Sequence, residues 1–104
     1  MVGAQYTVSQ ADTWERKEIT FPNETSNGEL YNNSIQGLYL EWWFTSGSTT
    51  NSGAVPTAWE AYATGDRAAG LNVNLADSTS NELYLTGVQF EVGTAATPFE
   101  HISF

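Results

Sequence analysis

The chain has 104 residues, a size that allows one domain with one core, residues 1–104. Three Lys and Arg residues stand against twelve Asp and Glu residues, giving a formal charge of -9 at pH 7. A field of this sign repels phosphate backbones and anionic membrane surfaces, which excludes nucleic acid as a partner. The chain has no cysteine and one histidine, so thiolate chemistry and schemes with two imidazoles are also excluded.

Short strands separated by polar turns are predicted in the first third of the chain. Residues 4–8 and 14–21 carry strand-forming side chains, and the polar turn 9–13 joins them. Pro22 ends the second strand because it cannot donate to a β-ladder. A long surface loop over 23–34, rich in Asn, follows.

The clearest alternation of side chains lies over residues 38–44. It predicts a half-buried central strand with two different faces. The inward face is predicted to hold Leu38, Leu40, Trp42 and Phe44. The opposite face holds Tyr39, Glu41 and Trp43.

Turns and strands are also predicted in the second half of the chain. The stretch 45–56 is a loop of Ser, Thr, Gly and Asn, and residues 58–69 hold one or two helical turns at most. Alternation predicts a strand over 70–75, a turn over 77–81 and a long strand over 82–92. The apolar positions change parity along this last strand, and Gly87 stands at the change, which predicts a bulge or bend there.

These elements predict an all-β fold, an antiparallel jelly-roll or β-sandwich. Five or six strands are few for a closed sandwich, and an open sheet edge is normally covered or paired. We therefore expect the sandwich to be completed by another chain. No apolar run approaches the roughly 20 residues needed to cross a bilayer, so membrane insertion is not expected.

The sequence predicts a protein that is not an enzyme. None of the twelve acids stands in a context distinctive of a catalytic carboxylate pair. His101, next to Glu100, is interpreted as a packing residue. No cofactor is expected. The alternative is a structural Ca²⁺ held by scattered carboxylates, for which the candidates are Asp12, Glu24, Glu29 and Asp77.

Aromatic side chains indicate a binding face. Two of them lie opposite the predicted core face of 38–44, and two more follow the second loop. Exposed rings beside Asn, Gln and Glu suit sugars, whose C–H faces stack on the ring while their hydroxyls bond to polar groups. The predicted carbohydrate-binding residues are Tyr39, Trp43, Trp59 and Tyr62. The alternative is that a second sheet or a neighbouring subunit covers this face.

The C-terminal third carries a recognisable pattern. The stretches 73–81 (VNLADSTSN), 85–93 (LTGVQFEVG) and 96–101 (ATPFEH) closely resemble a domain found in tail-fibre and other virion-structural proteins of bacteriophages, many from marine environments. The resemblance extends upstream through 6–22 to residues 37–38. It thus covers most of the chain, but loops 23–34 and 45–68 carry no specific part of it.

The resemblance implies a jelly-roll of the carbohydrate-binding-module kind, located in a tail fibre or on the capsid surface of a virion. It implies a host surface polysaccharide and other virion chains as partners, and a homo-oligomer, with a trimer favoured. In that family further strands precede the segment matching Tyr6, so we expect N-terminal strands of the full domain to be lacking here or supplied by another chain. The alternative is a purely structural virion or decoration protein whose aromatic face is an interface between subunits.

Overall fold

A computed structural model of the chain describes residues 1–25 and 33–101. Its regular elements in these ranges are two short 3₁₀ helices, η1 (Thr64–Asp66) and η2 (Leu75–Asp77). None of the described residues belongs to a β-strand. The predicted all-β antiparallel jelly-roll or β-sandwich is therefore wrong, and most of the described chain is coil with turns.

Side chains occupy many of the backbone donors that a β-ladder would use. The Glu15 carboxylate accepts from the N–H groups of Ser9 and Gln10. Later in the chain the Glu91 carboxylate accepts from the Thr97 N–H in the same way. Side-chain acceptors of this kind offer the backbone a local alternative to the bonds of a sheet. The alternating segments of the described chain therefore form no ladder.

The middle of the chain is held together by hydrogen bonds between two segments, 50–54 and 65–68. The Ala68 N–H donates to the Thr50 carbonyl at 2.9 Å, and the Gly53 N–H donates to the Gly65 carbonyl at 3.0 Å. These bonds fix the backbone around η1. Among the described residues, the buried ones are Pro56, Ala68 and Ala69, which lie in or next to these segments.

Two further sets of long-range hydrogen bonds connect this middle part to other segments. The Leu75 N–H donates to the Phe44 carbonyl at 3.0 Å. Beside it, the Asn74 Oδ1 accepts from the Thr45 hydroxyl at 2.6 Å and from the Ala76 N–H at 3.1 Å, so it also caps η2. At the other side, Met1 and Glu60 exchange hydrogen bonds between their backbone groups.

The side chains predicted to face inward from 38–44 do not form a core. Leu38, Leu40 and Trp42 are all exposed, and Phe44 is only half-buried. The predicted strand 70–75 is wrong as well, because η2 begins at Leu75. Both segments lack a neighbouring strand that would cover their apolar side chains.

The predicted turns agree better with the structure. A turn lies at residues 11–12, inside the predicted turn 9–13, and another lies at 79–80, inside 77–81. Helical conformation within 58–69 is limited to η1 and the turn that follows it, as expected. Much of the predicted loop 23–34 falls outside the described residues. No helix in the described part of the chain is long and apolar enough to cross a bilayer.

Candidate functional site

The clearest group of polar and aromatic side chains surrounds Arg67. Its guanidinium carbon lies 4.8 Å from the ring centroid of Trp43 and 5.9 Å from that of Tyr62. Its Nη2 atom lies 2.6 Å from the Oε2 atom of Glu41. We call these four residues, Glu41, Trp43, Tyr62 and Arg67, the Arg67 cluster. In it, one cation is shared between a carboxylate and two rings.

Electrostatics keep Arg67 in one charge state. The hydrogen bond that Arg67 donates to Glu41 raises the pKa of the Arg67 guanidinium above its already high value, and burial opposes this only in part. Arg67 is therefore a permanent cation at any pH the protein meets. The Nε atom of Arg67 is shielded from solvent and has no hydrogen-bond partner in the described structure, so the guanidinium is anchored through its Nη2 side.

Backbone contacts of neighbouring residues determine where Arg67, Trp43 and Tyr62 lie. Arg67 follows η1 directly and precedes the buried pair Ala68 and Ala69, so its backbone is fixed. Trp43 precedes Phe44, whose carbonyl is bonded to Leu75. Tyr62 precedes Ala63, whose N–H donates to the Met1 sulfur at 3.3 Å. Two long-range contacts, together with the fixed backbone after η1, therefore bring the cluster together.

The structure joins two of the four predicted carbohydrate-binding residues. Trp43 and Tyr62 meet across Arg67. Tyr39 is 69% exposed and has no ring contact with the cluster among the described residues. Trp59 is half-buried, and its indole N–H donates to the Pro22 carbonyl at 2.6 Å, which ties it to a different part of the chain.

Sequence reasoning missed Glu41 and Arg67 as members of a site. A signal was present, because Arg67 is the only basic residue outside the adjacent pair Arg16 and Lys17. A single cation among many acidic residues is expected to form an ion pair with one of them. Glu41 is a notable candidate because it stands beside two tryptophans. No local pattern of residues pairs two side chains that lie 26 positions apart in the chain.

The described candidates for a structural Ca²⁺ do not come together as a group of three ligands. No three His, Cys, Asp or Glu side chains among the described residues lie close enough together to hold a metal ion. The Asp77 carboxylate accepts from the Asn81 side chain at 2.7 Å, and Asp12 stands in a turn with φ of +53°. Glu29 lies outside the described residues.

The cluster offers ring faces and hydrogen-bonding groups side by side. Tyr62 is 65% exposed, so much of this side chain is open to a ligand, whereas Trp43 is half-buried. The position over the rings that a cationic ligand would take is occupied by Arg67 itself. The arrangement therefore suits a polyhydroxylated ligand, which stacks on a ring and bonds to the carboxylate and guanidinium edges.

Comparison with known proteins gave no match for this chain among protein-family models, curated proteins or solved structures. The resemblance to phage fibre domains stays a prediction from the sequence.

Proposed function

We propose that this chain is a non-catalytic component of a bacteriophage virion, in a tail fibre or on the capsid surface, that binds a host surface polysaccharide through the Arg67 cluster. The virion assignment rests on the resemblance of the stretches 85–93 and 96–101. The binding assignment rests on the geometry of the cluster.

The observation that carries the proposal is the position of Arg67 between two aromatic rings and a carboxylate. Tyr62 supplies an exposed face for the C–H groups of a sugar. Glu41 accepts hydroxyl protons, and the outer N–H groups of Arg67 donate to hydroxyl or ring oxygens. The chain has a net charge of -9. This charge repels strongly anionic polysaccharides, so binding of neutral polysaccharides is favoured.

A second candidate is a structural virion or decoration protein whose aromatic side chains lie in an interface between subunits. The observation in its favour is the number of large exposed side chains, which include Tyr39, Trp14 and Tyr84. Tyrosine and tryptophan are common anchors of protein interfaces. If the protein is structural, we expect a soluble quencher to leave the tryptophan fluorescence of the assembled protein unchanged. If it binds glycans, we expect the quencher to reach Trp43 until ligand is added.

The test is binding of the folded protein to a panel of purified bacterial capsular and O-antigen polysaccharides, neutral and acidic. We expect saturable binding to a neutral member of the panel. Trp43→Ala and Tyr62→Ala each remove a ring from the cluster, and we expect binding at least about tenfold weaker, equivalent to about 1.4 kcal/mol.

The matched control is Trp14→Ala, which removes an exposed tryptophan outside the cluster. We expect this variant to bind as the wild type does. Tyr39→Ala tests whether the predicted face extends beyond the cluster. Equal loss of binding in the Trp14 and Trp43 variants, or no binding to any polysaccharide by the folded wild type, would contradict the proposal.

A further inference from the structure

A second pair of aromatic side chains lies outside the Arg67 cluster. The ring centroids of Trp14 and Tyr84 are 6.5 Å apart, and the two ring planes are tilted by 53°. The pair joins residues from opposite ends of the chain. Trp14 is 71% exposed and Tyr84 is 70% exposed, so much of each side chain is open to a ligand.

A carboxylate is bonded to one of these two side chains. The Tyr84 hydroxyl donates to the Oε2 atom of Glu82 at 2.9 Å. This bond places a negative charge beside the tyrosine and uses the proton that a sugar oxygen would otherwise accept. The Lys and Arg side chains form their ion pairs with other carboxylates, so Glu82 has no ion-pair partner among the described residues. We call Trp14, Glu82 and Tyr84 the Trp14 group.

The Trp14 group has the composition of the Arg67 cluster without its cation. Each contains one tryptophan, one tyrosine and one glutamate, and the Arg67 guanidinium lies 4.8 and 5.9 Å from the two rings of its cluster. In the described part of the chain, no Lys or Arg side chain lies over Trp14 or Tyr84. A cation is attracted to a ring within about 6 Å of its centroid. Centroids 6.5 Å apart leave positions within that reach of both rings.

We propose that the Trp14 group binds a quaternary ammonium ion, such as choline, with the two rings as its contact surface and Glu82 as its counter-charge. A quaternary ammonium has no N–H group that needs an acceptor, so ring faces and one carboxylate are sufficient partners. The chain's charge of -9 attracts cations to its surface. The site is independent of the glycan-binding proposal, because a neutral polysaccharide carries no cation for it.

The first test is a titration with choline, followed through the indole N–H signals of the four tryptophans in NMR spectra. We expect the Trp14 signal to shift saturably, with a dissociation constant on the order of 1 mM. The Trp43 signal is expected to stay in place, because Arg67 already occupies that ring. The ligand control is dimethylbutanol, the uncharged analogue in which carbon replaces the quaternary nitrogen of choline. We expect it to bind at least about tenfold more weakly.

The second test uses variants, with choline binding measured by titration calorimetry. Trp14→Ala and Tyr84→Ala each remove one ring, and we expect binding at least about tenfold weaker. Glu82→Gln keeps an acceptor for the Tyr84 hydroxyl but removes the charge, and we expect weaker binding here too. The matched control is Tyr39→Ala, because Tyr39 is 69% exposed, almost as Tyr84 is. We expect this control to bind choline as the wild type does.

The proposal fails if choline leaves the Trp14 signal unshifted at every concentration, if dimethylbutanol binds as well as choline, or if the variants at positions 39 and 84 bind choline alike. Trp43→Ala separates the two proposals, since it is expected to lose polysaccharide binding and to retain choline binding.

A titration with phosphocholine distinguishes the sources of the trimethylammonium group. Weaker binding than that of choline, which the acidic charge of the chain predicts, would support a free ammonium ion as the ligand. Equal or tighter binding would support the choline headgroup of a phosphate ester.

Discussion

Gly53 shows how closely single residues constrain the middle of the chain. A Cβ atom at this position would lie 2.8 Å from the Asp66 carboxylate carbon and 3.2 Å from the Gly65 carbonyl carbon. The Asp66 carboxylate cannot simply move away, because it accepts from the Ala54 N–H at 2.8 Å. Glycine is therefore required here by close approach.

We predict that Gly53→Ala destabilises the protein by about 1–3 kcal/mol, because the added methyl group must displace Asp66 or the backbone of Gly65. The control is Gly47→Ala, since a Cβ atom there would meet nothing within 4 Å. Urea unfolding of both variants measures the difference in the free energy of unfolding. Similar midpoints for the two variants would show that the contact between 53 and 66 is absent in solution.

At the scale of elements, residues 89–100 form a segment held by side chains. The Glu91 carboxylate accepts from the N–H and the hydroxyl of Thr97 at 2.5 and 2.8 Å. The Gln89 side chain accepts from the Glu100 N–H at 2.9 Å. These bonds lower the pKa of Glu91 below its usual value of 4.5, and the Thr97 N–H has the largest effect. The ionised carboxylate is the form that holds the segment.

We predict that this segment loosens in acid. Because the pKa of Glu91 is lower in the folded chain, its contribution is present above the unfolded value near 4.5 and is lost as pH falls through the folded value. The Thr97 amide signal in NMR spectra, followed through an acid titration, measures this. Glu91→Gln is expected to remove the pH dependence of the signal, whereas Glu60→Gln, which removes an equal charge elsewhere, is expected to retain it.

At the scale of the whole molecule, a large acidic charge accompanies a large exposed apolar surface. All three basic side chains are paired with carboxylates: Arg16 with Glu18, Lys17 with Glu15 and Arg67 with Glu41. Each Lys or Arg side chain of one copy is therefore already paired and attracts the carboxylates of a second copy only weakly. Association of copies must overcome repulsion, and the apolar area must supply the driving free energy.

We predict that salt strengthens self-association. Raising NaCl from about 20 mM to about 500 mM shortens the screening length from about 20 Å to about 4 Å, so repulsion between the acidic copies weakens while apolar burial does not. Sedimentation equilibrium at the two salt concentrations measures the change in dissociation constant. Weaker association at high salt would mean that charge attraction holds the copies together and would contradict this prediction.

Local features of this protein were determined by the sequence itself. The turns within 9–13 and 77–81 fall where polar residues indicate them. The bulge predicted at Gly87 in a strand over 82–92 is wrong, because no strand lies there, although Gly87 has a left-handed φ of +60°. A turn depends on a few neighbouring residues. Its residues are therefore sufficient to predict it.

Only the tertiary structure decided how distant segments meet. Alternation over 38–44 shows which side chains share a face, but a strand also needs a row of N–H and C=O groups of another segment beside it. Among the described residues, the backbone of 38–44 is bonded to another segment only at Phe44, by the Leu75 N–H. Trp43, Tyr62 and Arg67 meet because hydrogen bonds join segments far apart in the chain. Contacts of this kind depend on the path of the whole chain, which no local pattern of residues specifies.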